Sequence, residues 1–270
     1  MRLRSGLTVR AVECGPRDGA QVVLLPGWGV SAFTFRDQLP ALGTAGYRAT
    51  SVDLKGHGFS DKPTGRGEYT LAAMVRHVED VIEAIGRRPA IIIGQSLAGR
   101  LAVELALARS GTVAALVLVS PVGIGVIPFI GLAQLVTPPI LDAIAPHLAR
   151  RWVVHVGLGL AYGRRARVTE DTVDEYWAPA QFPGFARALR GLAHDFDWSQ
   201  LSDEQLSALT VPTLVIRGSL DRLVRGPPRR PAALGSARLC VIDDAGHALN
   251  EERPEPVNAA ILEFLASLPQ

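Results

Sequence analysis

Short apolar runs recur along the chain without the polar alternation of a half-exposed strand: Gln21–Leu25, Tyr47–Val52, Ala90–Ile93, Val113–Val119, Thr213–Ile216 and Arg238–Ile242. A strand can dispense with that alternation only when both of its faces are covered, which is the environment of a parallel sheet between helical layers. The intervening stretches comply. Phe33–Leu42, Leu71–Ile85, Leu97–Ala108 and Pro256–Leu268 carry apolar residues at spacings of three and four, the mark of helices with one buried stripe. The pattern restricts the chain to an α/β fold with a mostly parallel central sheet flanked by helices. Between about Pro121 and Leu209 the alternation lapses into helix-like, proline-punctuated sequence rich in aromatics, and it resumes at Thr213. This predicts a core domain of residues 1–121 and 210–270 with an inserted helical cap (lid) of residues 122–209, and no repeat or low-complexity tract interrupts it.

With 270 residues, 48% of them hydrophobic, the chain has enough apolar surface for one large domain with an insertion. Its 28 basic and 26 acidic residues are scattered, giving a formal charge of +2 and no basic stripe, so a nucleic-acid partner is not expected. All the basic residues except Lys55 and Lys62 are arginine, a skew that says little about function. Cys14 and Cys240 lie far apart, and Cys240 sits in an apolar run, which predicts a reduced, buried thiol and no disulfide framework. The start, Met1–Gly6, lacks the apolar stretch of a secretion signal, so a cytoplasmic location is the default expectation. Thr112–Leu141 carries no charge and is long enough to cross a bilayer, but Pro121, Pro128, Pro138 and Pro139 would repeatedly break a spanning helix, so no transmembrane segment is expected.

The chemistry concentrates in Gly94-Gln-Ser-Leu-Ala-Gly99, directly after one predicted strand and directly before a predicted helix. A turn this sharp strains its central residue and presents the Ser96 side chain at the sheet's C-terminal edge, and it needs small residues two before and two after, here Gly94 and Ala98. Read alone, the pattern also fits an ordinary strand-to-helix turn with a capping serine. Two further segments change the balance: Leu214-Val-Ile-Arg-Gly-Ser-Leu-Asp221, a strand and Gly-containing loop ending in an acid, and Asp244-Ala-Gly-His-Ala-Leu-Asn-Glu-Glu-Arg-Pro254 between the last strand and the C-terminal helix. With these in the order Ser, Asp, His, the sequence resembles the α/β-hydrolase family from about Leu7 to Pro121 and from about Val211 to Leu268, Ala98 being a mild departure from the G-x-S-x-G form.

The resemblance implies a catalytic triad of Ser96, Asp221 and His247. Imidazole, with a pKa near neutrality, can take the serine proton and return it to a leaving group, while a buried carboxylate fixes its tautomer. Asp243 and Asp244 are weaker candidates for the acid. Pro26-Gly-Trp-Gly29 stands where the family usually carries a His-Gly loop, which implies an oxyanion hole made of the Trp28 and Leu97 main-chain N–H groups, with Pro26 in place of the usual histidine. Asp53-Leu-Lys-Gly-His-Gly-Phe-Ser60 is a further family landmark, expected to be structural. His77, His147, His155 and His194 lack such context and read as surface or cap residues, and no cluster has metal-ligand spacing, so neither a metal nor a cofactor is implied.

Apolar stretches in the cap, Val122–Leu132 and Trp152–Tyr162, predict a hydrophobic pocket, with Phe129, Trp152, Tyr162, Trp177, Phe182 and Phe185 as candidate walls or as cap-to-core packing. The same apolar surface could instead serve a homo-oligomer interface or a membrane surface. The leading expectation is a serine esterase for small hydrophobic esters that works through an acyl-serine. A carbon–carbon bond hydrolase of ring-cleavage diketone acids would share the triad and would need a cationic pocket, for which Arg150, Arg151, Arg164, Arg165, Arg187 and Arg190 are available. Epoxide and haloalkane hydrolases of this fold use an aspartate nucleophile where this chain has Ser96, and a cofactor-free haloperoxidase ranks below an esterase. A catalytically slow ligand-binding protein of the same fold is the alternative outside enzymology.

Overall fold

A computed structural model describes residues 1–86, 88–109, 111–137, 150–164, 167–226 and 237–269. The strands β1 (Ala11–Cys14), β2 (Gln21–Leu25), β3 (Arg48–Val52), β4 (Ala90–Gln95), β5 (Val113–Val119), β6 (Thr213–Gly218) and β7 (Arg238–Ile242) form one sheet in the order β1-β3-β2-β4-β5-β6-β7. β1 runs antiparallel to β3, and every other neighbouring pair is parallel. The absence of polar alternation has a direct cause in the layers. Val23, Leu25 and Ile92 enter one core with Met74, Leu101 and Leu105, while Val22, Leu24, Ile91 and Ile93 enter the other with Leu42, Val257, Ile261 and Phe264. Successive side chains therefore point into opposite cores, each made by helices on its own face.

Those helices are α1 (Gln38–Thr44), α2 (Leu71–Ile85), α3 (Leu97–Ala108) and, at the C-terminus, α10 (Pro254–Ala266). α2 starts at Thr70, whose hydroxyl accepts from Ala73 N–H, and stops at Gly86 in the left-handed conformation. α10 starts on Pro254, where a missing N–H costs nothing. The helix expected over Phe33–Leu42 is divided into a 3-10 turn, Ala32–Phe35, and α1. The break puts Pro40 in the first turn of α1, where its absent N–H would have had no acceptor, instead of in the interior of a longer helix.

Between β5 and β6 the chain contributes α4 (Ile130–Val136), α5 (Arg151–Ala161), α6 (Glu170–Ala180), α7 (Phe185–Asp195) and α8 (Asp203–Ser207), and no strand among the described residues. Val113–Val136 is a strand, a loop and a short helix, and no described helix is long and apolar enough to cross a membrane. Pro138, Pro139, His147 and Arg165 lie outside the described residues.

Two expectations about burial are corrected. His77 is inside the protein, on the buried face of α2, where its Nε2 accepts from Lys55 N–H at 2.9 Å. Cys240 is a free, half-buried thiol, because β7 is the last strand of the sheet and leaves Leu239 41% and Val241 52% exposed. An edge position is decided by strand order, which the run of apolar residues does not encode.

Candidate active site

Ser96 joins β4 to α3 with φ 51° and ψ −115°, a conformation in which a side-chain-bearing residue is strained by about 1–3 kcal/mol. Neighbouring chain holds it there. Its N–H donates to Val119 O at 2.8 Å, and its own carbonyl accepts from Val122 N–H at 3.0 Å. The turn tolerates no bulk: a Cβ on Gly94 would lie 2.7 Å from Ala98 O, and one on Gly99 would lie 2.8 Å from the Pro121 ring. Ser120 (φ 45°) after β5 and Asp244 (φ 57°) after β7 share this left-handed backbone, so the non-glycine residues with positive φ among the described residues all stand at strand C-termini along one edge of the sheet. In open parallel sheets that edge is where ligands bind.

Asp221 and His247 reach the same edge from the loops after β6 and β7, and they meet: His247 Nδ1 lies 3.0 Å from Asp221 Oδ2. An ionised carboxylate can only accept, so Nδ1 carries the proton and Nε2 is left as a base. Asp221 Oδ1 meanwhile accepts from Leu223 N–H at 2.9 Å and Val224 N–H at 3.0 Å. Burial alone would push this carboxyl up; the hydrogen bond and charge of the His247 ring, the Val224 N–H and the nearby buried Ser120 hydroxyl outweigh it and hold the acid below its usual range. Asp244 is occupied elsewhere, paired with Arg164 and, at 2.5 Å, with Arg167.

The loop after β2 faces the serine. A Cβ on Gly27 would sit 2.9 Å from Ser96 Cβ and 3.6 Å from its hydroxyl, so only glycine lets the loop come this close. The next residue, Trp28, sends its half-buried indole toward α7, where Nε1 donates to Leu189 O at 3.2 Å. Its ring stacks on Phe129 (6.4 Å, 8°) and meets Trp198 edgewise at 5.5 Å. Leu97 is the first residue of α3, and N–H groups of a first helical turn have no partner inside the helix.

The remaining aromatic candidates go to separate places. Trp152 and Trp177 line a groove of about 590 Å³ with Arg150, Arg151 and His155, and neither Ser96, Asp221 nor His247 borders it. Phe182 is half exposed and packs edgewise on Phe59, whereas Phe185 is buried. Tyr162 is buried and donates its hydroxyl to Glu251 Oε2 at 3.1 Å. Asp53 and His57 hold loops: Asp53 accepts from Ala32 N–H at 2.6 Å and Phe59 N–H at 2.8 Å, and His57 Nδ1 lies 3.1 Å from Lys55 O.

Several residues around the site are assigned no role by the sequence alone. Glu251, four positions after His247, is buried and accepts from Thr34 (2.9 Å), Arg36 (2.6 Å), Tyr162 and Tyr176 (2.7 Å). Burial and the Glu251 charge push both phenols upward, so they remain protonated donors at neutral pH. Gln95 Nε2 donates to Asn250 Oδ1 at 3.2 Å, tying the residue before Ser96 to the helix α9 (Leu249–Glu252) that follows His247. Among the described residues no group of His, Cys, Asp and Glu converges as a metal site.

The alpha/beta hydrolase family model matches residues 22–260. The chain is 31% identical to a non-heme chloroperoxidase of Streptomyces lividans, over 97% of both proteins. It is 25% identical to epoxide hydrolase A of Mycobacterium tuberculosis, over 98% of this chain and 96% of that one. Among solved structures, a meta-cleavage product hydrolase of Pseudomonas fluorescens superposes with a TM-score of 0.82 at 26% identity, covering 99% of this chain and 97% of that one.

Proposed function

The chain belongs to the alpha/beta hydrolase family, and from that premise we propose that it is a serine hydrolase of carboxylic esters with hydrophobic acyl or alcohol groups. The observation that carries this reading is the Asp221–His247 hydrogen bond of 3.0 Å at the same sheet edge as a serine held at φ 51°. In the proposed reaction His247 Nε2 takes the Ser96 proton as Oγ attacks the ester carbonyl carbon. The negative oxygen of the tetrahedral intermediate is bound by the Trp28 and Leu97 N–H groups. The intermediate collapses with transfer of the proton to the departing alcohol, leaving acyl-Ser96. Water, deprotonated by the same imidazole, then releases the acid.

The helices between β5 and β6 act in this reading as a cap, and the Trp28–Phe129 stack, one residue on from the Gly27 that approaches Ser96, would supply an apolar wall. Carbon–carbon bond hydrolysis of a diketone acid is the second reading, favoured by the likeness to the meta-cleavage product hydrolase. It needs a cation for the substrate carboxylate, and Arg151 and Arg164 are already paired with Glu170, Asp174 and Asp244. The ester reading predicts that a fluorophosphonate probe labels Ser96, that p-nitrophenyl esters of longer acids are turned over faster than the acetate, and that Ser96→Ala and His247→Ala each remove most of that activity. A folded protein that takes up no probe overturns it. Cleavage of diketone acids in preference to esters replaces it with the second reading.

A further inference from the structure

Glu252 closes α9, five positions after His247, and takes no part in the chemistry proposed above. Its side chain is 0% exposed. An ion removed from water costs several kcal/mol unless donors surround it, and the donors here come from two separate parts of the chain. Gly246 N–H, next to His247, reaches Oε1 at 2.7 Å. Gly163 N–H, in the turn that leaves α5, reaches both oxygens at 3.0 Å, and Arg164 N–H reaches Oε2 at 3.4 Å. Arg167 Nη1 adds a cationic arm at 3.4 Å.

The main chain repeats the connection. Ala161 O accepts from His247 N–H at 2.7 Å and from Ala248 N–H at 3.2 Å. The two segments are in direct contact: a Cβ on Gly246 would fall 2.1 Å from Gly163 N, and one on Gly163 would fall 2.7 Å from Gly246 N. Arg167 also reaches Asp244 on the near side of the histidine loop. The loop that carries His247 and the end of α5 thus form one unit built around a single buried carboxylate.

We propose that Glu252 is a positioning residue for His247, clamping residues 244–248 to the 161–164 turn so that the imidazole stays on Asp221 only while the α5 end of the β5–β6 connection is seated. This rests on the reading of His247 as the base. Glu252→Gln keeps the volume but turns an NH2 group toward a main-chain N–H. In the folded variant kcat for a p-nitrophenyl ester is expected to fall by about ten- to a hundredfold, as displacement of a reacting group by about an ångström does, with KM changing little. The low-field Nδ1–H proton resonance of His247 is expected to move or broaden. Arg167→Met removes the cationic arm together with its contacts to Asp244 on the same loop and should lower kcat by about two- to fivefold in the same direction; it decides the matter if Glu252→Gln does not fold. Folded variants with parental kcat and a parental His247 resonance overturn the proposal. The resonance is read without turnover, so a parent protein inactive on esters would sink the esterase reading while the clamp is still judged by its own signal.

Discussion

Asp221, after β6, and Asp244, after β7, have different partners, and substitution separates them. Asp221→Asn keeps the shape but can present an amide to His247 Nδ1, favouring the wrong tautomer, and is expected to lower kcat by roughly 10³–10⁴-fold. Asp244→Asn weakens contacts to Arg164 and Arg167 on the loop's flank and is expected to cost no more than about fivefold. Steady-state kinetics with one ester compares them; the opposite order would reassign the acid. Gly27 has a negative φ, so its requirement is for space alone. Gly27→Ala should slow fluorophosphonate labelling at least about tenfold by displacing the loop or the serine, and unchanged labelling would mean the loop can retreat freely. At this scale Ser96, Asp221 and His247 were legible as candidates because strand, turn and loop context surrounds each in sequence. The burial of Glu251 and Glu252 was not: they stand in sequence only as acids downstream of His247, and the donors that make burial tolerable, Thr34, Arg36, Tyr162 and Tyr176 for Glu251 and Gly163 and Arg167 for Glu252, lie far away in the chain.

At the level of elements, the segment after β3 and the helix α2 bring two buried histidines together. Burial, opposed by the Lys55 carbonyl, lowers His57 to about 4, and burial with the Lys55 charge lowers His77 to about 3. In the unfolded chain both titrate near 6.5. The unfolded state therefore takes up protons first, and the stability these histidines supply as neutral groups is complete above about pH 6.5 and is lost as pH falls toward 4 and then 3. The loss is on the order of a few kcal/mol for each histidine across that window. Urea midpoints at pH 7 and pH 5 test it: the midpoint should drop at pH 5, and His77→Gln, whose amide oxygen can still accept from Lys55 N–H, should flatten the drop. An unchanged midpoint in the parent would refute it. The strands were readable because two-sided burial leaves continuous apolar runs, and the elbow because it joins two such elements. The Pro40 break and the exposed face of β7 were not, since one depends on where a helix restarts and the other on which strand ends the sheet.

For the whole molecule, substrate choice is expected to rest where the β5–β6 connection leans on the loop after β2. Phe129→Ala removes the ring stacked on Trp28 and should weaken the preference for long over short p-nitrophenyl esters by about tenfold, the equivalent of one lost apolar wall. A ratio unaltered by the change would remove Phe129 from the substrate path. The glycine-to-glycine crossing of Gly163 over Gly246 carries a consequence for exchanging parts between relatives. On the proposed reading of His247, a chimera that grafts a foreign β5–β6 connection at a junction before residue 161 keeps the native crossing and is expected to retain activity, whereas one that brings its own version of the 161–164 turn is expected to need the matching 244–252 segment with it. If Glu252 acts as that clamp, exchanges confined to α4 and the front of α5 are expected to leave the base in register, while changes to the short stretch behind them are expected to need a matching change in its distant companion.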